Sequence, residues 1–495
     1  VTDALRTEGS GPLGATVSWA AARRAGLVRS WKDGSLSIPA RVFVVVYVFL
    51  LFCIPSQLVI RPLGAPGTPA NLWGILALLW WLLATLGGRN PVRGFTPTRV
   101  SVGLLVGAVL ASYVAGNAAG WYSPADIRQS TDELWTLVAV PADQLNATMI
   151  SAADRGLLSV AGWAGVVLLA SEGLRTSHEL ERVVGWVVGF GTFVAALGIV
   201  QYFTAYDIAA LFTIPGLSAN SDFGEVVSRS VLNRVSSTAV HPIEFGVLLA
   251  GVFLLALHRS LFAANRSWIL RWLPTLVIGT ALPMSVSRSA ILALALACAV
   301  VFVGWPARWR IRGLLLAPLA VVGMRLVAPG LVGTIRSLFG NLGDDPSVTG
   351  RTADYSAVLG LYTEHPLLGR GLFTFVPRYY RILDNQMLMT LVELGAIGLA
   401  ATLVFLGTGV YLARAARRRL TSERERHLAL VLSASLVGVV LSYLTFDAWG
   451  FPMVAGSTFL LVGLAGAAHR LSLEPPLGAV DARLPSPAAP VGGPS

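Results

Sequence analysis

Three arginines stand where an apolar chain has least reason to keep them. Arg234, Arg288 and Arg351 lie in polar stretches between long apolar runs. Planar guanidinium forks match phosphate oxygens two at a time, so three of them converging would cradle a diphosphate. Arg288 is the most informative, because Pro283-Met-Ser-Val-Ser-Arg-Ser289 is a connection too short to form a domain. A guanidinium at a membrane edge costs a few kcal/mol unless it snorkels to water or meets an anion. Ser285, Ser287 and Ser289 beside it suggest a polar socket; snorkelling remains the other reading. His241 and His365 lie in the same kind of segment. His241, next to Pro242 and ahead of Glu244, is either a helix cap or a proton carrier. No Walker loop, paired DxD-type carboxylates or HExxH run is present, so nucleotide hydrolysis and metalloprotease chemistry have no support. The two cysteines, Cys53 and Cys298, sit inside apolar runs, which excludes a disulfide scaffold or zinc site.

The elements that must position these residues are membrane helices. Of 495 residues 55% are hydrophobic and 13% charged, against about 25% charged in a soluble domain. Apolar runs long enough to cross a hydrocarbon core recur from Arg41 to Leu471. They predict an all-α integral membrane protein of about twelve spans, near 41–60, 70–87, 100–120, 155–171, 183–204, 241–258, 269–285, 288–305, 313–329, 386–413, 427–447 and 450–468. The net charge of +11 reads as topology and not as nucleic-acid binding, because most of the basic residues fall in alternate short connections. That bias puts both termini in the cytoplasm. The expected organisation is a cytoplasmic segment 1–40, spans one to nine over 41–329, an extracytoplasmic loop domain 330–385, spans ten to twelve over 386–470, and a disordered cytoplasmic tail 471–495.

Function is then sought on the outer face, where three long segments fall, at about 121–154, 205–240 and 330–385. The last holds Arg336, Asp344, Asp345, Arg351, Asp354, Glu364, His365, Arg370, Arg378, Arg381 and Asp384, on the side where basic residues are scarce. Such a cluster needs an anionic partner or internal pairing. An enzyme on this face has no supply of nucleotide sugars, so its donor must arrive through the membrane, which makes a lipid-linked diphosphate the natural candidate.

Four elements, in order, resemble the O-antigen ligase and O-antigen polymerase superfamily of bacterial envelope glycosyltransferases. Arg234 through Pro242 is similar to its Arg-to-His-Pro element, with Ile243 where Asn is usual, and Ser287-Arg288-Ser289 is similar to its Ser-Arg-Gly/Ser element. Gly350-Arg351-Thr-Ala-Asp354 and His365-Pro366-Leu-Leu-Gly369-Arg370-Gly371 resemble the segment that precedes its signature helix. In Asp384-Asn385-(nine residues)-Gly395-Ala-Ile-Gly398 the Asn and both glycines match the family spacing, and Asp384 replaces the usual His.

The resemblance implies metal-independent glycan transfer from a polyprenyl-diphosphate donor, without a cofactor, on a fold related to the C-type membrane glycosyltransferases. It implies that Arg234 and Arg288, with Arg351, Arg370 and Asn385 nearby, hold the donor, and that Asp384 activates the acceptor hydroxyl. His365 and His241 are the alternative bases. The bland reading of Asp384 is a helix N-cap. The partners implied are a lipid-linked oligosaccharide, a glycan or lipid acceptor and membrane lipids, at a bacterial plasma membrane with the active site outside. The absent His counts against a lipid-A-type ligase and favours a polymerase or another envelope-glycan transferase. The alternatives are a transporter or flippase of lipid-linked glycans and a shape-and-division-type peptidoglycan polymerase.

Overall fold

The computed structural model describes residues 39–90, 92, 94–119, 142–220, 228–229, 232–263, 267–328, 330–340, 354–355, 358–376 and 383–474. Arg351, Arg378, Arg381, most of the N-terminal segment and the tail beyond 474 lie outside them.

Each of the twelve apolar stretches coincides with a helix: α1 Ala40–Cys53, α2 Pro69–Leu86, α3 Pro97–Ala119, α4 Ala142–Gly173, α5 Ser177–Thr204, α6 Pro242–Phe262, α7 Trp268–Met284, α8 Arg288–Gly304, α9 Ala307–Val327, α10 Gln386–Arg419, α11 Glu423–Ser442 and α12 Pro452–Leu471. Eight are long and apolar enough to cross a membrane unaided, while α1, α7 and α8 are shorter apolar helices. The remaining helix, α9, carries Arg308, Arg310 and Arg312 in its first turns. The protein is an all-α, multi-pass membrane protein. Its only strands among the described residues are two two-stranded pairings, one of which joins Leu58–Val59 after α1 to Ser218–Ala219 after α5.

The first helix ends earlier than its apolar run. Ile54 precedes Pro55, and a residue before proline is pushed out of the helical region; Ile54 accordingly adopts φ −91° and ψ 128°, and the chain from 54 to 60 forms a loop.

Helix α12 is the most enclosed element, packed between α4, α6, α10 and α11. In a membrane such contacts come from close packing of small residues, since lipid supplies no hydrophobic drive between helices. Helices α2 and α4 touch backbone to backbone: a Cβ on Gly165 would lie 2.1 Å from the Gly74 carbonyl oxygen. At one end of the bundle Glu172 ties three helices, accepting from Arg99 at 2.5 and 2.7 Å, from Trp81 Nε1 at 2.8 Å and from Asn90 at 2.7 Å. The opposite end carries the candidate site.

Candidate active site

The α7–α8 connection is a tight turn. Ser285, Ser287 and Ser289 are all buried, and Ser287 caps α8 by accepting from Ala290 N at 3.3 Å. Val286 is held at φ 47°, a conformation that a β-branched residue adopts only under constraint. Arg288 is the first residue of α8. Buried Arg234 donates from Nε to the Ser285 carbonyl at 3.4 Å, so the two arginines chosen from sequence meet at one turn. Helix α6 closes on the same turn: a Cβ on Gly246 would fall 2.5 Å from Ser285 Oγ.

The segment carrying Arg234 is held by groups that sequence reasoning passed over. Gln201, near the end of α5, accepts from Ser236 N at 3.2 Å and Ser237 N at 2.6 Å. Fully buried Glu244 accepts from Val240 N at 2.7 Å, Ser56 Oγ at 3.2 Å and Met453 N at 2.6 Å. One carboxylate thus joins the loop after α1, the start of α6 and the start of α12. His241 is the cap of α6, its Nδ1 accepting from Ile243 N at 3.1 Å. That hydrogen bond places the neutral ring's proton on Nε2.

A chain of contacts connects His241 to Asp384. The His241 ring lies 6.0 Å from that of Phe451, which lies 5.3 Å from Phe446. The carbonyls of Phe446 and Tyr443 accept from Gln386 N at 3.1 and 2.7 Å, and Gln386 Oε1 accepts from Trp449 N at 2.6 Å. The start of α10 is therefore fastened to the α11–α12 connection.

That connection contributes Asp447, which accepts from Gly450 N at 3.3 Å. Burial pushes its carboxyl up to about 6, with the nearby Asp384 charge adding to the effect. Asp384 and Asp447 therefore lie near enough for their charges to interact. The argument that singled out Arg288, a charged residue in a connection too short to be a domain, applies equally to Phe446-Asp447-Ala448-Trp449-Gly450 and would have found it.

The cap of α10 is Asn385 and not Asp384. Asn385 Oδ1 accepts from Met387 N at 2.9 Å and Leu388 N at 3.2 Å, the arrangement expected of an N-cap. Asp384 stands one residue outside the helix and is half-buried. The structure thus assigns the structural role to the residue expected to bind substrate.

The two motif glycines of α10 have a physical explanation. At Gly395 the helix is broken, with φ 66° and ψ −170°, and the loop His365–Gly371 fills the break. Ala396 N donates to Pro366 O at 2.9 Å and Ile397 N to Leu367 O at 3.1 Å, while Glu393 O accepts from Arg370 N at 2.9 Å and Gly371 N at 2.8 Å. Helix and loop meet so closely that a Cβ on Gly369 would lie 2.3 Å from Glu393 carbonyl carbon, and one on Gly395 2.4 Å from that of Leu367. Buried Glu393 accepts from Phe375 N at 3.3 Å through its side chain, and its carbonyl accepts from Ser112 Oγ of α3 at 2.9 Å, so it ties the loop and α3 to α10. Arg370 is buried and ion-paired with Glu364, and His365 is exposed on the same loop.

Arg234, Arg288, His241, Asp384 and Asp447 thus occupy one end of the bundle. Cationic groups from one side and interacting carboxylates from the other are the equipment for holding an anion beside a hydroxyl that must lose a proton. No curated protein matches the chain closely enough to name as a relative. Residues 273–403 match the family model described as O-antigen ligase. That stretch, which is similar to the O-antigen ligase family, holds the Arg288 turn, the loop that fills the break in α10 and the Asp384 position.

Proposed function

We propose that the protein is a glycosyltransferase on the outer face of a bacterial plasma membrane, extending or transferring a glycan carried on a polyprenyl diphosphate. The donor diphosphate binds Arg234 and Arg288, and the arginines stabilise the charge that grows on it as the anomeric C–O bond breaks, a task they can perform without a metal. Asp384 accepts the proton of the acceptor hydroxyl as that oxygen attacks the anomeric carbon. Asp447 sets the charge state of the pair.

The observation that carries this reading is the convergence of Arg234 and Arg288 on the Ser285–Ser289 turn. Sequence distance gave no reason for them to meet, and two arginines at one buried turn supply the forked donors that a diphosphate needs. A transporter reading gains a broken helix in α10, the element on which transporters commonly build substrate sites. Here the break is filled by loop backbone on both sides of Gly395, which favours a fixed scaffold over a substrate path.

The test is transfer of glycan from a lipid-linked donor by the purified protein. Arg288→Ala should abolish transfer while the protein stays folded, and Arg288→Lys should remain severely impaired, because a point charge cannot reproduce a bidentate fork. Near-normal turnover by Arg288→Ala would show a snorkelling arginine and place the phosphate site elsewhere.

A further inference from the structure

At the far end of α8 from Arg288, a whole helix length away, three helices turn arginines into one cavity of about 510 Å³. Arg308 comes from the start of α9, Arg417 from the last turn of α10 and Arg426 from the first turn of α11, with Trp305 and Trp309 in the wall and buried His427 at its base. Arginines near a cytoplasmic membrane edge are ordinary topology signals. Convergence from three helices on one hollow is not, since each exposed guanidinium had open water to point to.

The charges in this cavity do not cancel. Glu423 is the one carboxylate lining it, and it pairs with Arg308 at 3.0 Å. Half-buried Arg417 donates to the Gly304 carbonyl at 2.5 Å, a neutral partner, and Arg414 and Arg426 lie close enough for their like charges to act on it. An excess of positive charge in a partly enclosed hollow attracts an anion.

The wall is rigid, for a reason that can be read atom by atom. Trp305 Nε1 can only donate, and it does so to His427 Nε2 at 2.9 Å. In the neutral ring the proton of His427 is therefore on Nδ1, which faces His258 Nδ1 at 3.0 Å. His258 in turn presents Nε2–H to Glu181 at 3.2 Å, and Arg424 completes the chain at 2.9 Å from the same oxygen. From Trp305 through both histidines each donor points toward Glu181, which also accepts from Arg424 on its other side, so the indole edge is locked in place.

Exposed apolar side chains flank the cavity along the chain: Val303 on one side, and Ile311, Leu314 and Leu315 on the other. A free phosphate would have no use for them, whereas a lipid would lay its acyl chains there.

We propose that this cavity holds the phosphodiester headgroup of an anionic membrane phospholipid, with Arg308, Arg417 and Arg426 on the phosphate oxygens and the tails along α8 and α9. The site is separate from the proposed donor site and does not depend on the transferase reading.

The experiment uses the full chain, purified and delipidated in detergent, with lipid retention followed by native mass spectrometry and Tm by thermal unfolding. Phosphatidylglycerol should be retained and should raise Tm; phosphatidylcholine and inorganic phosphate at equal concentration should do neither. Arg308→Gln/Arg426→Gln alters two exposed side chains and should weaken phosphatidylglycerol retention about tenfold or more. Arg426→Gln alone should give a smaller loss, and Arg312→Gln, an exposed arginine outside the cavity lining, none. Unchanged retention in the double variant, or an equal response to phosphatidylcholine, would overturn the proposal. An equal Tm rise with inorganic phosphate would show a bare anion site and overturn the lipid assignment.

Discussion

Asp384→Asn is the sharpest test of the proposed chemistry, because the structure removes its main ambiguity. Had Asp384 been the cap of α10, Asn would have replaced it in that role and a silent substitution would have meant little. Asn385 holds both cap hydrogen bonds, so Asp384→Asn, isosteric and one residue outside the helix, should alter stability by no more than about 0.5 kcal/mol. Losing a general base should instead slow transfer by about 10²–10⁴. The Asp447 carboxyl supplies a second signature: part of its rise to about 6 comes from the Asp384 charge, so a neutral amide at 384 should let Asp447 ionise at lower pH. The assay is single-turnover transfer from a lipid-linked donor in proteoliposomes, run across pH 4–8 with donor binding measured in parallel. The reciprocal variant, Asn385→Ala, should cost about 1 kcal/mol of stability while each folded molecule still turns over. Transfer by Asp384→Asn within a few-fold of the parent would refute the reasoning and shift the base role to Asp447.

The stacked backbones at the break in α10 predict that Gly369→Ala and Gly395→Ala are each destabilising by at least about 1–3 kcal/mol, since both residues have φ near +65° and a Cβ would overlap backbone atoms. Gly407→Ala, where a Cβ meets nothing within 4 Å, is the control, and the yield and Tm of purified protein separate them. Folding favours the protonated form of Asp447, so its contribution to stability is present below about pH 3.8 and is lost as pH rises through about 6. Thermal unfolding across that range should show the decline, and Asp447→Asn should flatten it; an unchanged slope would mean that Asp447 does not titrate there.

Hydropathy marked the twelve apolar helices named above among the described residues, because lipid demands an apolar stretch for a crossing, and a short polar turn was enough to single out Arg288. What hydropathy cannot convey is where a helix is interrupted by another segment's backbone. Gly395 lies inside a mostly apolar run, and its departure from helix depends on loop 365–371, whose amide and carbonyl groups match the exposed ones of α10. The exchange of roles between Asp384 and Asn385 has a similar cause: both residue types cap helices well, and the register is fixed by the contact of Gln386 with the α11–α12 connection. Glu244 read as an ordinary first-turn acid. Beside the local Val240, its partners Ser56 and Met453 come from far along the chain, and no local pattern announces them.

The interruption at Gly395 also fixes a depth. From Gly395 to Ala413, just before the arginine-rich end, the helix rises about 28 Å at 1.5 Å per residue, close to the roughly 30 Å of a bilayer's hydrocarbon layer. The crossing part of α10 is therefore complete without Gln386–Leu394, which would stand above the lipid like a post on a deck. On the outward orientation proposed above, Asp384 at the top of that post would lie about 16 Å beyond the break. A donor engaged there would have its diphosphate and first sugar together above the hydrocarbon and the rest of its glycan rising toward water, an upright posture that admits a long hydrophilic chain without asking any of it to enter the membrane.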